Sequence, residues 1–337
     1  MAAAAPLVRV VRSGLQESIH LGHVAVCDAA GRLIASIGDP RTLVFARSCM
    51  KPVQAAVSLA AIGDLPLSDR EIAVMCSSHN AEPIHLGAVR ALLRRASLGP
   101  SALRTPPAWP MDEWEMARAQ HPNPQFHDCS GKHAGMLLAC VRAGWDPTSY
   151  LRRSHPLQRR ILTAVQRATG ESHVELGVDG CGAPVHGVPL AAMATMYARL
   201  AETLRMGPLA EAIDRAIEAM LSEPYLVGGR ERDDTAVMQA TGDVVAKEGA
   251  EALNCAAVLA SGFGVAVKIA DGGSRAAGPA LIESLAQVGG LEVAHLDALA
   301  DRHRPAVRGG GEAVGGLEPV FMLRRRGKHQ VPGTIGP

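Results

Sequence analysis

Apolar and polar positions alternate at both ends of this chain and follow helical spacing in its middle. Leu7 to Val11 reads as a strand. His23-Val24-Ala25-Val26-Cys27 and Leu33-Ile34-Ala35-Ser36-Ile37 flank the turn-forming Asp28-Ala29-Ala30-Gly31-Arg32, which predicts a β-hairpin. A second hairpin is expected where Cys255 to Ala260 and Val265 to Ala270 meet across Ser261-Gly262-Phe263-Gly264. Between them, apolar residues recur three and four apart, predicting helices over 83–97, 131–143, 157–169, 189–205 and 209–221, with a later one over 275–287. Ile72 to Cys76 reads as a short buried strand, and the last thirty residues, rich in Gly, Arg and Pro, as loosely ordered. No internal repeat is evident.

This order predicts an α/β (α+β) fold as a single domain over 1–337. Its antiparallel sheet is built from the N- and C-terminal strands (about 7–47 and 244–323), and a helical part (about 48–243) packs against it. The junction is Arg47-Ser48-Cys49-Met50-Lys51-Pro52. A proline is tolerated only in the first turn of a helix, so Pro52 marks the start of one. Val53, Ala56, Val57, Ala60 and Ala61 continue it at helical spacing to a stop at Gly63. Ser48 and Lys51 share a helical face. A lysine made neutral there can take the serine proton, while the helix end favours developing negative charge. The ordinary alternative is a capping serine beside a solvated lysine.

Composition narrows the partners. Apolar residues make 47%, charged residues 20% and aromatics 3%, with a formal net charge of +1, so neither nucleic acid nor an acidic membrane is expected as a partner. No stretch of about eighteen apolar residues occurs, and no secretory signal is read at Met1 to Pro6. The seven cysteines, an odd number without small-domain spacing, suggest reduced thiols and a cytoplasmic location.

Four more stretches are small, polar and glycine-rich at element ends. Ser77-Ser78-His79-Asn80 precedes a helix opened by Pro83, where Ser78 or Asn80 could serve as a cap. Asp128-Cys129-Ser130-Gly131-Lys132-His133 opens another helix, with Cys129 and Lys132 three apart. Gly177 to Pro184 is a tight loop holding Asp179 and Cys181, and Lys247-Glu248-Gly249 follows the apolar Val244-Val245-Ala246. Two thiols and a nitrogen suit Zn²⁺. Cys129 could equally be a buried small hydrophobe, and Lys132 a contact for a substrate carboxylate.

Together with Asp-Thr-x-x-Met and Asp-Gly-x-x-Arg further on, these motifs resemble, in order and from about Val8 to Gly316, the asparaginase II family of the Rhizobium etli type. The resemblance implies a serine β-lactamase/glutaminase-like fold and an amidohydrolase turning the small-molecule substrate L-asparagine into L-aspartate and ammonia. It implies two tandems, Ser48 with Lys51 and Ser78 with Lys247. It also implies a zinc position at Cys129, Lys132 and Cys181, and substrate-binding positions at Arg47, His79, Asn80, Gly131, Lys132, His133 and Asp179. Homodimers are the family's tendency. Where some relatives carry a further cysteine, this chain reads Arg232-Asp233-Asp234-Thr235. The expected mechanism is acyl transfer with Ser48 as nucleophile and Ser78 as relay or second hydroxyl. The alternatives are a glutaminase, a β-lactamase-like acyl hydrolase, or a non-catalytic amino-acid- or metal-binding protein.

Overall fold

The computed structural model describes residues 3–326. The chain opens with strands β1 (Ala5–Arg12), β2 (Leu15–Asp28), β3 (Leu33–Ile37) and β4 (Leu43–Phe45). Helices α1 (Lys51–Ile62), α2 (Asp69–Met75), α3 (Pro83–Arg95), α4 (Glu113–Arg118), α5 (Ser130–Arg142) and α6 (Pro156–Thr169) follow. After β5 (Glu175–Val178) and β6 (Pro184–Pro189) come α7 (Leu190–Ala201), α8 (Ala210–Ser222), α9 (Pro224–Val227) and α10 (Asp233–Thr241). The rest is β7 (Val244–Gly249), β8 (Leu253–Val258), β9 (Phe263–Ile269), α11 (Ala277–Gln287), α12 (Val293–Ala298), α13 (Ala300–His303), β10 (Ala306–Gly309), β11 (Glu312–Pro319) and β12 (Arg324–Arg325). Among the described residues, no helix is long and apolar enough to cross a membrane.

The elements divide into two compact units. The first holds residues 3–49, 188–202 and 236–326. Its sheet runs β10-β11-β1-β2-β9-β8-β7, with β3 also pairing β2 and β12 pairing β3. Neighbouring strands of this sheet pair antiparallel, and its N- and C-terminal strands meet at the β2–β9 ladder, where Val24 lies opposite Val267 and Val26 opposite Val265. Both expected hairpins form, β2–β3 and β8–β9. Alternation identified these strands because each is bounded by turn-forming residues.

Helix α7 packs on β2, β8 and β9 and so belongs with the sheet, which corrects its assignment to the helical part. Its Ala-rich face allows this approach: a Cβ at Gly264 of β9 would run into the carbonyl of Ala194. Strands also form within the closing stretch read as loosely ordered, over β10, β11 and β12, whose glycines and arginines hide the alternation. The remainder of that stretch, 327–337, lies outside the described residues, as do Met1 and Ala2.

The second unit holds residues 50–187 and 203–235. Helix α1 is its centre, packed against α2, α5, α6 and α8. Pro52 sits in its first turn and Gly63, at φ 71°, ends it. Of residues 72–76, expected as a strand, 72–75 belong instead to α2 and Cys76 is its C-cap. Five apolar residues cannot separate a buried strand from a buried helix; the decisive signal lies upstream, in the reciprocal capping box of Ser68 and Glu71. Glu71 is further held by Arg95 of α3.

α5 reaches α2 through Gly131, where a Cβ would strike the carbonyl and side chain of Val74. Gly131→Ala is therefore expected to cost about 1–3 kcal/mol through overpacking. A lower urea midpoint with an unchanged slope is the readout. An unshifted midpoint would mean that α2 and α5 can separate freely.

Candidate active site

In the second unit, α1 begins with Lys51, whose side chain is fully buried. Its ammonium donates to the Ser77 carbonyl at 2.5 Å and to Ser78 Oγ at 2.9 Å, and lies 3.7 Å from an Asp128 carboxylate oxygen. Burial would raise the Asp128 carboxyl, but Lys51 and the hydrogen-bonded His127 outweigh it and hold the group well below the usual carboxylate range. His127 Nδ1 lies 2.8 Å from an Asp128 carboxylate oxygen; burial opposes its charge, yet Asp128 pulls it up to about 9.

The corner carrying Ser78 is tied down on all sides. The Ser78 amide donates to Val227 and the Asn80 amide to Gly228. Arg232 donates to the Ser78 carbonyl at 2.8 Å and to Asn80 Oδ1 at 3.2 Å, while Asn80 Nδ2 donates to the Arg230 carbonyl at 2.8 Å. Asn80 therefore stitches two loops together; Glu82, not Asn80 or Ser78, stands at the N-cap of α3.

His79 is wholly buried. Its Nδ1 accepts from the Ala81 amide, so Nε2 carries the proton and donates to Ser130 Oγ at 2.8 Å. Burial, then the neighbouring His85, holds it neutral, well below the usual imidazole range. With both ring nitrogens spent on the protein, His79 supports the corner and has no nitrogen to offer a substrate. His133 Nδ1 lies 2.7 Å from the Tyr150 hydroxyl, whereas its buried Nε2 has no partner among the described residues. Gly131 meets α2, as above.

Cys129 stands at the N-cap of α5, and Cys181 lies in the turn between β5 and β6, where the Asp179 amide donates to Ala183 and Gly182 takes φ 85°. Lys132 Nζ is 3.3 Å from Cys181 Sγ, and Asp179 Oδ2 is 4.0 Å from the same sulfur while Oδ1 accepts the Gly180 amide. The Cys129 thiol, hydrogen-bonded to Cys181, brings the Cys181 thiol down to about 5 and is itself raised well above its usual value. Burial opposes the Lys132 charge, but the Cys181 thiolate raises that lysine above its ordinary range. Two buried sulfurs and an amine thus converge, with carboxylates beside them, and this donor set fits a zinc ion. His127, Asp128 and Cys129 also bring three donor atoms within 4.8 Å of one another, but Asp128 is already engaged by Lys51 and His127.

In the first unit, Ser48 lies in the 3₁₀ turn Arg47–Met50 that leads directly into α1, and Arg47 takes φ 45°. Cys49 Sγ is 3.1 Å from the Lys247 carbonyl, and Tyr197 donates to the Cys49 carbonyl at 2.9 Å, so the Ser48 turn is clamped beside the fully buried Lys247 of β7. The motif pairing sets Ser78 with Lys247; within the second unit, Lys51 also donates to Ser78 Oγ. Two residues outside the expected site emerge, Asp128 and Arg232. Asp128 could have been suspected from its place beside Cys129, but no sequence signal ties it to Lys51, which lies 77 positions earlier by number (128 − 51).

Comparison with curated proteins finds no match. Among solved structures, the chain is similar to a β-lactamase from Mycobacterium bovis, with a TM-score of 0.44 and 14% identity over 79% of this chain and 94% of that one. It is also similar to simvastatin synthase from Aspergillus terreus, with a TM-score of 0.37 and 12% identity over 74% and 86%. A family model described as L-asparaginase II matches residues 8–319, a span that takes in the Ser48, Ser78, Cys129, Cys181 and Lys247 motifs alike. The chain belongs to the L-asparaginase II family and is an amidohydrolase.

Proposed function

We propose that this amidohydrolase acts on L-asparagine, releasing L-aspartate and ammonia through a serine ester. The observation that carries this reading is the buried Lys51 amine on Ser78 Oγ, three residues after Ser48 in the chain. Ser48 Oγ attacks the side-chain carboxamide carbon as its proton passes to the neutral Lys51 amine. The C–N bond then breaks, the lysine returns the proton to the departing nitrogen, and ammonia leaves. Water hydrolyses the ester by the same route in reverse. Ser78, already an acceptor for Lys51, holds the amine in place and offers a second path for the proton. Amides at the start of α1 are suited to receive the oxyanion.

Cys129, Lys132 and Cys181 would hold the zinc ion. When bound, it supplies a fixed positive charge that can anchor a charged end of the substrate. Three buried groups offer this set, and at neutral pH the Cys129 thiol and the Lys132 ammonium must each lose a proton to bind. Occupancy is therefore expected to fall as pH falls, with about two protons released per ion. Protein purified without chelator should carry about one zinc per chain by elemental analysis, and Cys181→Ser should lose most of it. Zinc-free protein with undiminished affinity for asparagine would reduce the three residues to direct substrate contacts.

The functional test is ammonia release by the purified protein from L-asparagine, L-glutamine and D-asparagine. Turnover of L-asparagine above the other two is expected. The margin over glutamine rests on one methylene, worth about 1–3 kcal/mol in a pocket. Equal or faster release from glutamine would overturn the assignment.

A further inference from the structure

Helix α6 turns one face, with Arg159, Arg160, Thr163 and Arg167 at spacings of three and four, into a groove of about 550 Å³ within the second unit. Val57 of α1 and Leu209 supply apolar wall, and among the described residues no carboxylate lines it. In a chain of net charge +1, three guanidinium groups around one cavity are a local excess of positive charge. Arg159 and Arg160 make no ion pair among the described residues.

Two of the three arginines are held by packing. The Arg160 guanidinium lies over the Trp145 ring, 4.9 Å from its centroid. The Arg167 guanidinium lies against the backbone of Gly207, which takes φ 59°; a Cβ there would come within 2.7 Å of Arg167 Nη1. Groups already fixed lose less freedom on binding a ligand. The volume falls in the range of small-molecule sites. Guanidinium forks match phosphate oxygens in pairs, and a polyphosphate is the small anion able to engage three of them together. We propose that this groove binds a small molecule bearing a di- or triphosphate group, its carbon body against Val57 and Leu209. The site is separate from the catalytic residues and does not depend on the asparaginase reading.

Calorimetry on the full chain in about 150 mM salt, where loose surface attraction is screened, tests this with pyrophosphate, ADP and adenosine as probes. Saturable binding of ADP and pyrophosphate below about 1 mM is expected, with none of adenosine. The Arg159→Gln/Arg167→Gln variant should weaken ADP at least tenfold, and Ser48→Ala should bind as the wild type does. Thr163→Glu, which places a negative charge in the groove at an exposed position, should give the same loss should the double variant misfold. ADP tighter than pyrophosphate would support a nucleotide-like body, and equal affinities a free polyphosphate. Failure of both anions to saturate, or ADP binding unchanged in Thr163→Glu, would overturn the proposal.

Discussion

Ser48→Ala is expected to lower ammonia release from L-asparagine by roughly 10³–10⁶-fold while the protein stays folded, because no other group can supply the bond that the hydroxyl forms. The fold should survive because backbone and neighbouring contacts hold the turn: Tyr197 grips the Cys49 carbonyl, and Cys49 Sγ rests by the Lys247 carbonyl. Ser78→Ala should cost less, roughly 10²–10⁴-fold, since it removes a hydrogen-bond partner of the amine and not the attacking atom. Single-turnover assays with L-asparagine, alongside far-ultraviolet circular dichroism, separate the two variants. More than about a tenth of wild-type turnover in Ser48→Ala would sink the assignment, and a deeper loss in Ser78→Ala would make Ser78 the nucleophile.

The contrast between these two serines also shows what could be read from residues alone. Ser48 and Lys51 were legible together because their spacing is local and Pro52 fixes where the helix starts. The sheet was legible at its ends for the same kind of reason: β2, β3, β8 and β9 alternate and are bounded by turn-forming residues. The pairing of Lys51 with Ser78 is a tertiary event. It depends on Val227, Gly228 and Arg232 receiving the Ser78–Asn80 corner, and nothing near Ser78 in the chain announces them. The family motifs brought Ser78 and Lys247 to notice as a pair, but gave no sign of the Lys51 contact that Ser78 makes within its own unit. His79 was misleading in another way: an imidazole in a polar motif invites a chemical role, yet burial and two protein hydrogen bonds use it up.

Lys51→Met should abolish most turnover and also reshape the response to acid. Removing the proton carrier is expected to cost roughly 10²–10⁴-fold. The structural effect follows from Asp128, 3.7 Å away. Its folded-state pKa is held below the ordinary value near 4, so in the wild type it contributes stability that is present above that value and lost as pH falls through the lower folded one. Without Lys51, burial acts on Asp128 with less opposition, its pKa moves back up, and the loss on acidification begins at higher pH. At neutral pH the variant should be less stable by about 1–3 kcal/mol, the usual cost of leaving a buried polar group without its partner. Lys51→Arg separates the two contributions. A guanidinium keeps the charge opposite Asp128 but cannot act as a neutral base. Denaturant midpoints near wild type with turnover as low as in Lys51→Met are expected. Substantial ammonia release by Lys51→Arg would show that the charge of Lys51, and not its proton, is what the reaction needs.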